Sequence, residues 1–388
     1  PGTGAQATLP DAFTYEQDVT VFGAERIHQM HVDPTGNFLI AAAGDEGVLI
    51  FDLFSGLEVA RVSLPGRALG VDSYFERGVD RLLVASQQGN SPHLLVVDLD
   101  PLDPSRYTVV SDLPLPGDLV RGVEAIGARA LVSLGSAGAA LVDLHLADKP
   151  YVSTLMSAPG AGLTLDVEAL ESAPGQARHY ALAQGAHDVL ADDLVSEEDA
   201  TSGALVLLEQ DPSWGVREVA RLNLPASRVV HEGSTLYLAT GDNGVTIVDT
   251  SSPESPVVLG SVPGLGHVRD VAIKGGILYA ASREQGIVSI DVLDPTNPIV
   301  LRRIAAPEQG AITHAVAGTA FQAIGAASRG RSHWIFMSQD PELSVIATSP
   351  SSGIIDQDAT GEQKVVVRFN KSIFGCHDNS AYAEVYRG

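Results

Sequence analysis

A short apolar strand ending in an acidic residue recurs along the whole chain. It reads LIFD at Asp52, LVVD at Asp98, ALVD at Asp143, VLLE at Glu209, TIVD at Asp249 and VSID at Asp291. A degenerate copy, WIFM, ends at Met337. The spacings are 46, 45, 66, 40, 42 and 46 residues, and the long one holds the insertion from Gly185 to Gly203. Each copy has one internal order, clearest after His267: a first strand VRDVAI, a second strand ILYAAS, a Gly-containing loop, the marker strand, a Pro/Asp turn, and a fourth strand IVLRRIAAP. Short strands separated by turn signals at regular spacing, with no stretch of helical period, specify an all-β repeat.

Four antiparallel strands in roughly 40–45 residues is the pattern of a β-propeller blade. One such sheet cannot cover both of its faces. Set radially, each blade packs on two neighbours, which explains near-continuous apolar runs such as GVTIVD and HLLVVD. The last copy supplies only three strands, while FTYEQDVTVF near the N-terminus supplies a fourth with no first three before it. The expectation is a seven-bladed propeller closed by residues 12–22 lying beside Trp334 to Met337, or six blades if the last copy is not a blade. Closure of this kind removes an open sheet edge.

Apolar residues make up 45% of the 388, enough for a large core, and charged residues 19%. The formal net charge of −24 repels phosphate backbones and anionic membrane surfaces. It suits a soluble protein in an extracellular setting. The one cysteine, Cys376, rules out an internal disulfide or a CxxC site, and its simplest role is that of a small apolar side chain. No run approaches the roughly 18 apolar residues of a membrane helix.

The stretches GVTIVDTSSPESPVVLGSV, GIVSIDVLDPTNPIVLRRI and, more loosely, AALVDLHLADKPYVSTL resemble the LVIVD-repeat propellers of bacterial surface-type proteins. The resemblance spans roughly residues 12–340 and implies a propeller in an envelope or extracellular location, with no catalytic residues to carry over. From Leu343 the pattern changes. Ser349-Pro350, Gly353 and Phe369-Asn370-Lys371 resemble the opening of a bacterial Ig-like domain. The implied organisation is a linker over 1–11, a propeller over 12–342, and the start of an Ig-like domain, incomplete at 343–388. This reads as one module of a longer parent chain.

Three groups of residues could carry chemistry. The marker acids, Asp52, Asp98, Asp143, Asp249 and Asp291, could form a carboxylate ring, but Asp at the end of a strand also accepts the amides of the turn that follows. His28, Arg121, Arg228, Arg269 and His314 begin first strands, with Arg67 and His267 in the loops before them. First strands line the central channel, so these seven should converge near one mouth, together with the loops between second and third strands. They could receive a carboxylate, a sugar acid or an acidic peptide, or they could pair with Asp166, Asp270 and Glu124. In the insertion, Asp188, Asp192, Asp193 and Asp199 could hold Ca²⁺ or form a solvated loop; no other cofactor is indicated.

There is no GxSxG elbow, no HExxH and no phosphate loop. The expected function is a non-catalytic recognition, adhesion or spacer module of a larger secreted or cell-surface bacterial protein. Its partner would be a protein or glycan held at the mouth. The alternative is a propeller enzyme of hydrolase or lactonase type using the same mouth. A plugged mouth would favour the module.

Overall fold

The computed structural model describes residues 16–21, 27–53, 56–76, 79–100, 103–158, 162–170, 177–185, 203–211, 215–306, 309, 312–318, 322–329, 332–339, 345–349, 356–357, 363–369 and 382–386. All regular structure among them is β. Six four-stranded antiparallel sheets are each built from consecutive strands, blades 1 to 6, over residues 29–62, 67–114, 123–156, 163–222, 228–262 and 268–304. A seventh sheet takes Ile312–Gly318, Gln322–Arg329 and Ser332–Gln339, and its outer strand is Glu16–Val21 from the start of the chain. The orphan strand expected from the sequence therefore closes blade 7.

The innermost strands are Gln29–Val32, Arg67–Glu76, Val123–Ala125, Leu163–Leu170, Arg228–Glu232, Val268–Lys274 and Ile312–Gly318. Each lies against the innermost strand of the next blade, and the last lies against the first, so they form a closed ring. Seven apolar clusters fill the seams, one for every adjacent pair of blades. Third strands are buried on both faces up to the marker acid, as in Val48–Asp52, Ala139–Asp143 and Val245–Asp249.

In blades 1 to 6 the pairing of third and fourth strands shifts register at one common point, between the second and first residues before the marker acid. The extra residue sits on the fourth strand, for example Ser153 and Leu259. A bulge repeated at this point adds the same increment of twist to every blade.

Residues 338–388 belong to a second compact unit. In it Gln363–Phe369 pairs antiparallel with Val345–Ser349, Asp356–Gln357 and Tyr382–Tyr386. Cys376 lies outside the described residues.

Candidate functional site: the propeller mouth and channel

The loops between second and third strands do share a face with the starts of the first strands. Gly44, Gly135 and Gly241 in those loops bridge to Ala68, Thr164 and Val268 at the start of the next blade. The marker acids of blades 3, 5 and 6 sit at the opposite face and serve turns, whereas Asp98 pairs with Arg81 and Glu209 with Arg217. Asp143, Asp249 and Asp291 accept the amides of His145, Ser251 and Leu293, at 3.0, 2.8 and 2.9 Å. The amide of His145 holds the Asp143 carboxyl below the usual carboxylate range.

The channel wall is organised by side chains that reach across seams to main-chain amides. Gln29 accepts the amide of Val71 at 3.1 Å, Asp166 that of Val229 at 2.9 Å, and Asp270 that of Val316 at 2.9 Å. These three acceptors occupy one equivalent position in blades 1, 4 and 6. Blades 2 and 3 have Gly70 and Gly122 there. A Cβ on Gly70 would overlap the carbonyl oxygen of Arg121, and one on Gly122 would overlap the Asp166 carboxylate. In these two blades the acceptor moves two residues along the strand: Asp72 takes the amide of Ala125 at 2.7 Å, and Glu124 that of Ala169 at 2.6 Å. Glu168 adds a second clip between blades 4 and 5, to the amide and ring of His231 at 3.2 and 2.7 Å. Between blades 5 and 6, Ser227 Oγ donates to the carbonyl of Arg269 at 2.7 Å.

Arg228 sits at the acceptor position of blade 5 and turns its charge to both sides. Its Nη1 is 2.9 Å from Asp166 Oδ1 and its Nε 3.3 Å from Asp270 Oδ1. Burial works against the charged guanidinium, but Asp166 and Asp270 outweigh it and raise its pKa. Burial raises the pKa of both carboxyls, opposed chiefly by Arg228 and also by Arg121. Glu124 is pushed well above the ordinary range by burial and by the neighbouring Glu168.

Arg121, Arg228 and Arg269 all stand at the starts of first strands, which from spacing alone would make them equivalent. The amide clips show otherwise: Arg121 and Arg269 share a position with His28, Ser227 and His314, and Arg228 lies one residue further in. At that shared position in blades 2, 4, 6 and 7 the pairing with the second strand skips one residue: Leu69, Leu165, Arg269 and His314. His28 is buried and its amide donates to Ala42 at 2.8 Å. Arg67, Arg121 and Arg269 are half-buried. His267 is fixed on the rim by Asp242 at 2.8 Å through its ring and by Glu284 at 2.9 Å through its amide. The side chain of His314 lies outside the described residues, as do Asp188, Asp192, Asp193 and Asp199.

Leu69 and Leu165 do not line an open pocket. They are buried in one cluster with Leu119, a side chain of the connection into blade 3. Among the described residues no group of three His, Cys, Asp or Glu side chains is arranged to hold a metal, and no helix is long and apolar enough to cross a membrane. Sequence reasoning missed the clip residues Asp72 and Glu168. The signal was present as an alternation between Asp-Val (Asp166, Asp270) and Gly-Val-Asp/Glu (Gly70 to Asp72, Gly122 to Glu124).

A family model for the LVIVD repeat matches residues 225–263 and 265–305, which cover blades 5 and 6. No curated protein matches. Among solved structures, the Cps50 (Swd1) β-propeller domain of Myceliophteria thermophila is similar with a TM-score of 0.59 at 14% identity. That match covers 83% of this chain and 99% of the other. Raptor of Chaetomium thermophilum is similar with a TM-score of 0.62 at 13% identity, covering 83% of this chain and 29% of Raptor. At these identities the likeness is one of fold. The chain is an all-β propeller carrying LVIVD repeats, an architecture suited to an interaction or structural module.

Proposed function

We propose that this propeller is a recognition module of a larger secreted or cell-surface bacterial protein. In this reading the mouth formed by the loops and first-strand starts docks a protein or glycan partner through the partner's carboxylates. Leu69, Leu119 and Leu165 are buried together beside the first-strand starts, and this apolar packing supports the reading of the mouth as a docking surface rather than a deep pocket. The cations assigned to the partner are Arg121 and Arg269, which share one position at the starts of first strands, with Arg67, His28 and His267 around them. The C-terminal unit is read as Ig-like.

The test uses two carboxylate-rich probes, a glutamate-rich peptide and a polygalacturonate oligosaccharide, with affinity measured by calorimetry at low and high salt. The double variant Arg121→Ala/Arg269→Ala should lose about 2–5 kcal/mol of binding where the contacts are buried, and binding to the wild type should weaken with salt. Equal affinity of a correctly folded double variant for both probes would exclude the mouth.

A further inference from the structure

At the far end of the same channel, three side chains are in contact, of which only Asp72 belongs to the seam clips. His31 comes from the innermost strand of blade 1, just before the turn at Asp33, and Asp72 and Ser73 are adjacent on the innermost strand of blade 2. His31 Nε2 stands 2.9 Å from Ser73 Oγ. The other ring nitrogen, Nδ1, is 3.2 Å from Asp72 Oδ1. Asp72 is anchored in turn, its Oδ2 accepting the amide of Ala125 at 2.7 Å and its Oδ1 that of Ser73 at 2.7 Å. The order is hydroxyl, imidazole, carboxylate, each within reach of the next, with the imidazole oriented at both nitrogens.

That arrangement is the one by which a serine is activated as a nucleophile on unrelated folds, where it is recognised by geometry and roles and not by chain order. The side chains of His31 and Asp72 are 28% and 15% exposed, so solvent reaches the group. At the positions equivalent to Ser73, blades 3, 4 and 6 carry Ala125, Ala169 and Ile273, so the hydroxyl belongs to blade 2 and not to the repeat.

We propose that Ser73, His31 and Asp72 form a hydrolytic centre for neutral or cationic carboxylic esters. Ser73 Oγ attacks the ester carbonyl carbon while its proton passes to His31 Nε2. The C–O bond to the alcohol then breaks and the alcohol leaves with that proton, giving an acyl ester on Ser73. A water molecule gives a proton to His31 Nε2 as its oxygen attacks the acyl carbon. The carboxylic acid departs and the proton returns to Ser73 Oγ. Water is the only co-reactant. Asp72 touches no reacting atom; it is a positioning residue that fixes the ring and stabilises the imidazolium.

The preference for neutral or cationic esters follows from the surrounding charge. Asp72 is itself a member of the triad, and Glu124 feels the charges of Asp72, Asp166 and Glu168. Arg228 is held by Asp166 and Asp270. An anionic ester would meet carboxylates on blades 2, 3 and 4, so it is disfavoured.

The experiment treats the full chain with a fluorophosphonate probe at pH 8 and locates the adduct by peptide mass spectrometry, with p-nitrophenyl acetate hydrolysis followed in parallel. The expected adduct is on Ser73. It should be absent in Ser73→Ala and slowed at least about tenfold in His31→Gln. Arg217→Ala, on the exposed outer strand of blade 4, should label like the wild type. No adduct on the folded wild type, or labelling that survives in Ser73→Ala, would overturn the proposal.

Discussion

Asp166 holds Arg228 by its guanidinium and the following residue by its backbone: Oδ1 lies 2.9 Å from Arg228 Nη1 and Oδ2 2.9 Å from the amide of Val229. One carboxylate thus locks the side chain and the main chain of blade 5 at once. Asp270 meets Arg228 from the other flank at 3.3 Å. Three consecutive blades share this pairing.

Removing the cation should therefore do more harm than losing one ion pair. Arg228→Ala leaves two buried carboxylates facing each other across the seam, and it should cost about 3–5 kcal/mol of stability at neutral pH. Urea denaturation at pH 7.5 and pH 5.5 checks this. The loss should be smaller at the lower pH, where the stranded carboxylates can take up protons.

Gly70 and Gly122 should not tolerate a methyl group. The added carbon would collide with a carbonyl oxygen in one case and with the Asp166 carboxylate in the other. Gly70→Ala and Gly122→Ala should each destabilise the ring by about 1–3 kcal/mol or more. Gly36, at a turn with open space around it, serves as the comparison, since there only the positive φ of 74° resists the change. Thermal melts in which Gly122→Ala matches the wild type would contradict the packing described.

The channel carboxyls make a signed prediction about pH. The pKa of Glu124 is raised in the folded chain by burial and by Glu168. Between the ordinary glutamate range, about 4.3, and its raised folded value, the folded state binds more protons than the unfolded state. Stability is then fully present at the low end of that window and is lost as pH rises through it. Glu124→Gln should raise the unfolding temperature at pH 8 and flatten its slope between pH 5 and pH 8. Asp294, held low by its turn partner Thr296, contributes with the opposite sign, and only in acid. A Glu124→Gln variant with the wild-type slope would show that this group is not what titrates.

Blade 7 depends on the other end of the chain for its outer strand. Deleting residues 1–22 removes Glu16–Val21 and bares the edge of Ser332–Gln339. The truncated protein should melt at a markedly lower temperature or aggregate through that edge. Calorimetry and size-exclusion chromatography report the two outcomes, and a truncated monomer melting like the full chain would contradict the closure.

The sheet count, the marker strands and the closing strand were legible because each is local and repeats along the chain. The marker acids were also legible as turn residues, since Asp249 and Ser251 are two positions apart. What sequence spacing hid was register. A single unpaired residue near the start of an inner strand, such as Arg269, shifts every later side chain, so Arg228 cannot be aligned with Arg269 by counting. The triad was illegible for another reason. His31 and Ser73 lie 42 residues apart on different blades, and only the packing of blade 2 against blade 1 brings them to hydrogen-bonding distance.

The seam clips have a consequence for how such a chain can diverge. An acceptor that grips a main-chain amide is indifferent to which side chain follows, so either partner strand can be rewritten while the joint survives. Gln29, Asp72, Glu124, Asp166 and Asp270 perform the same task with three residue types at two strand positions. A ring assembled this way can drift until only blades 5 and 6 still carry a recognisable repeat, and its geometry persists long after its spelling has been lost.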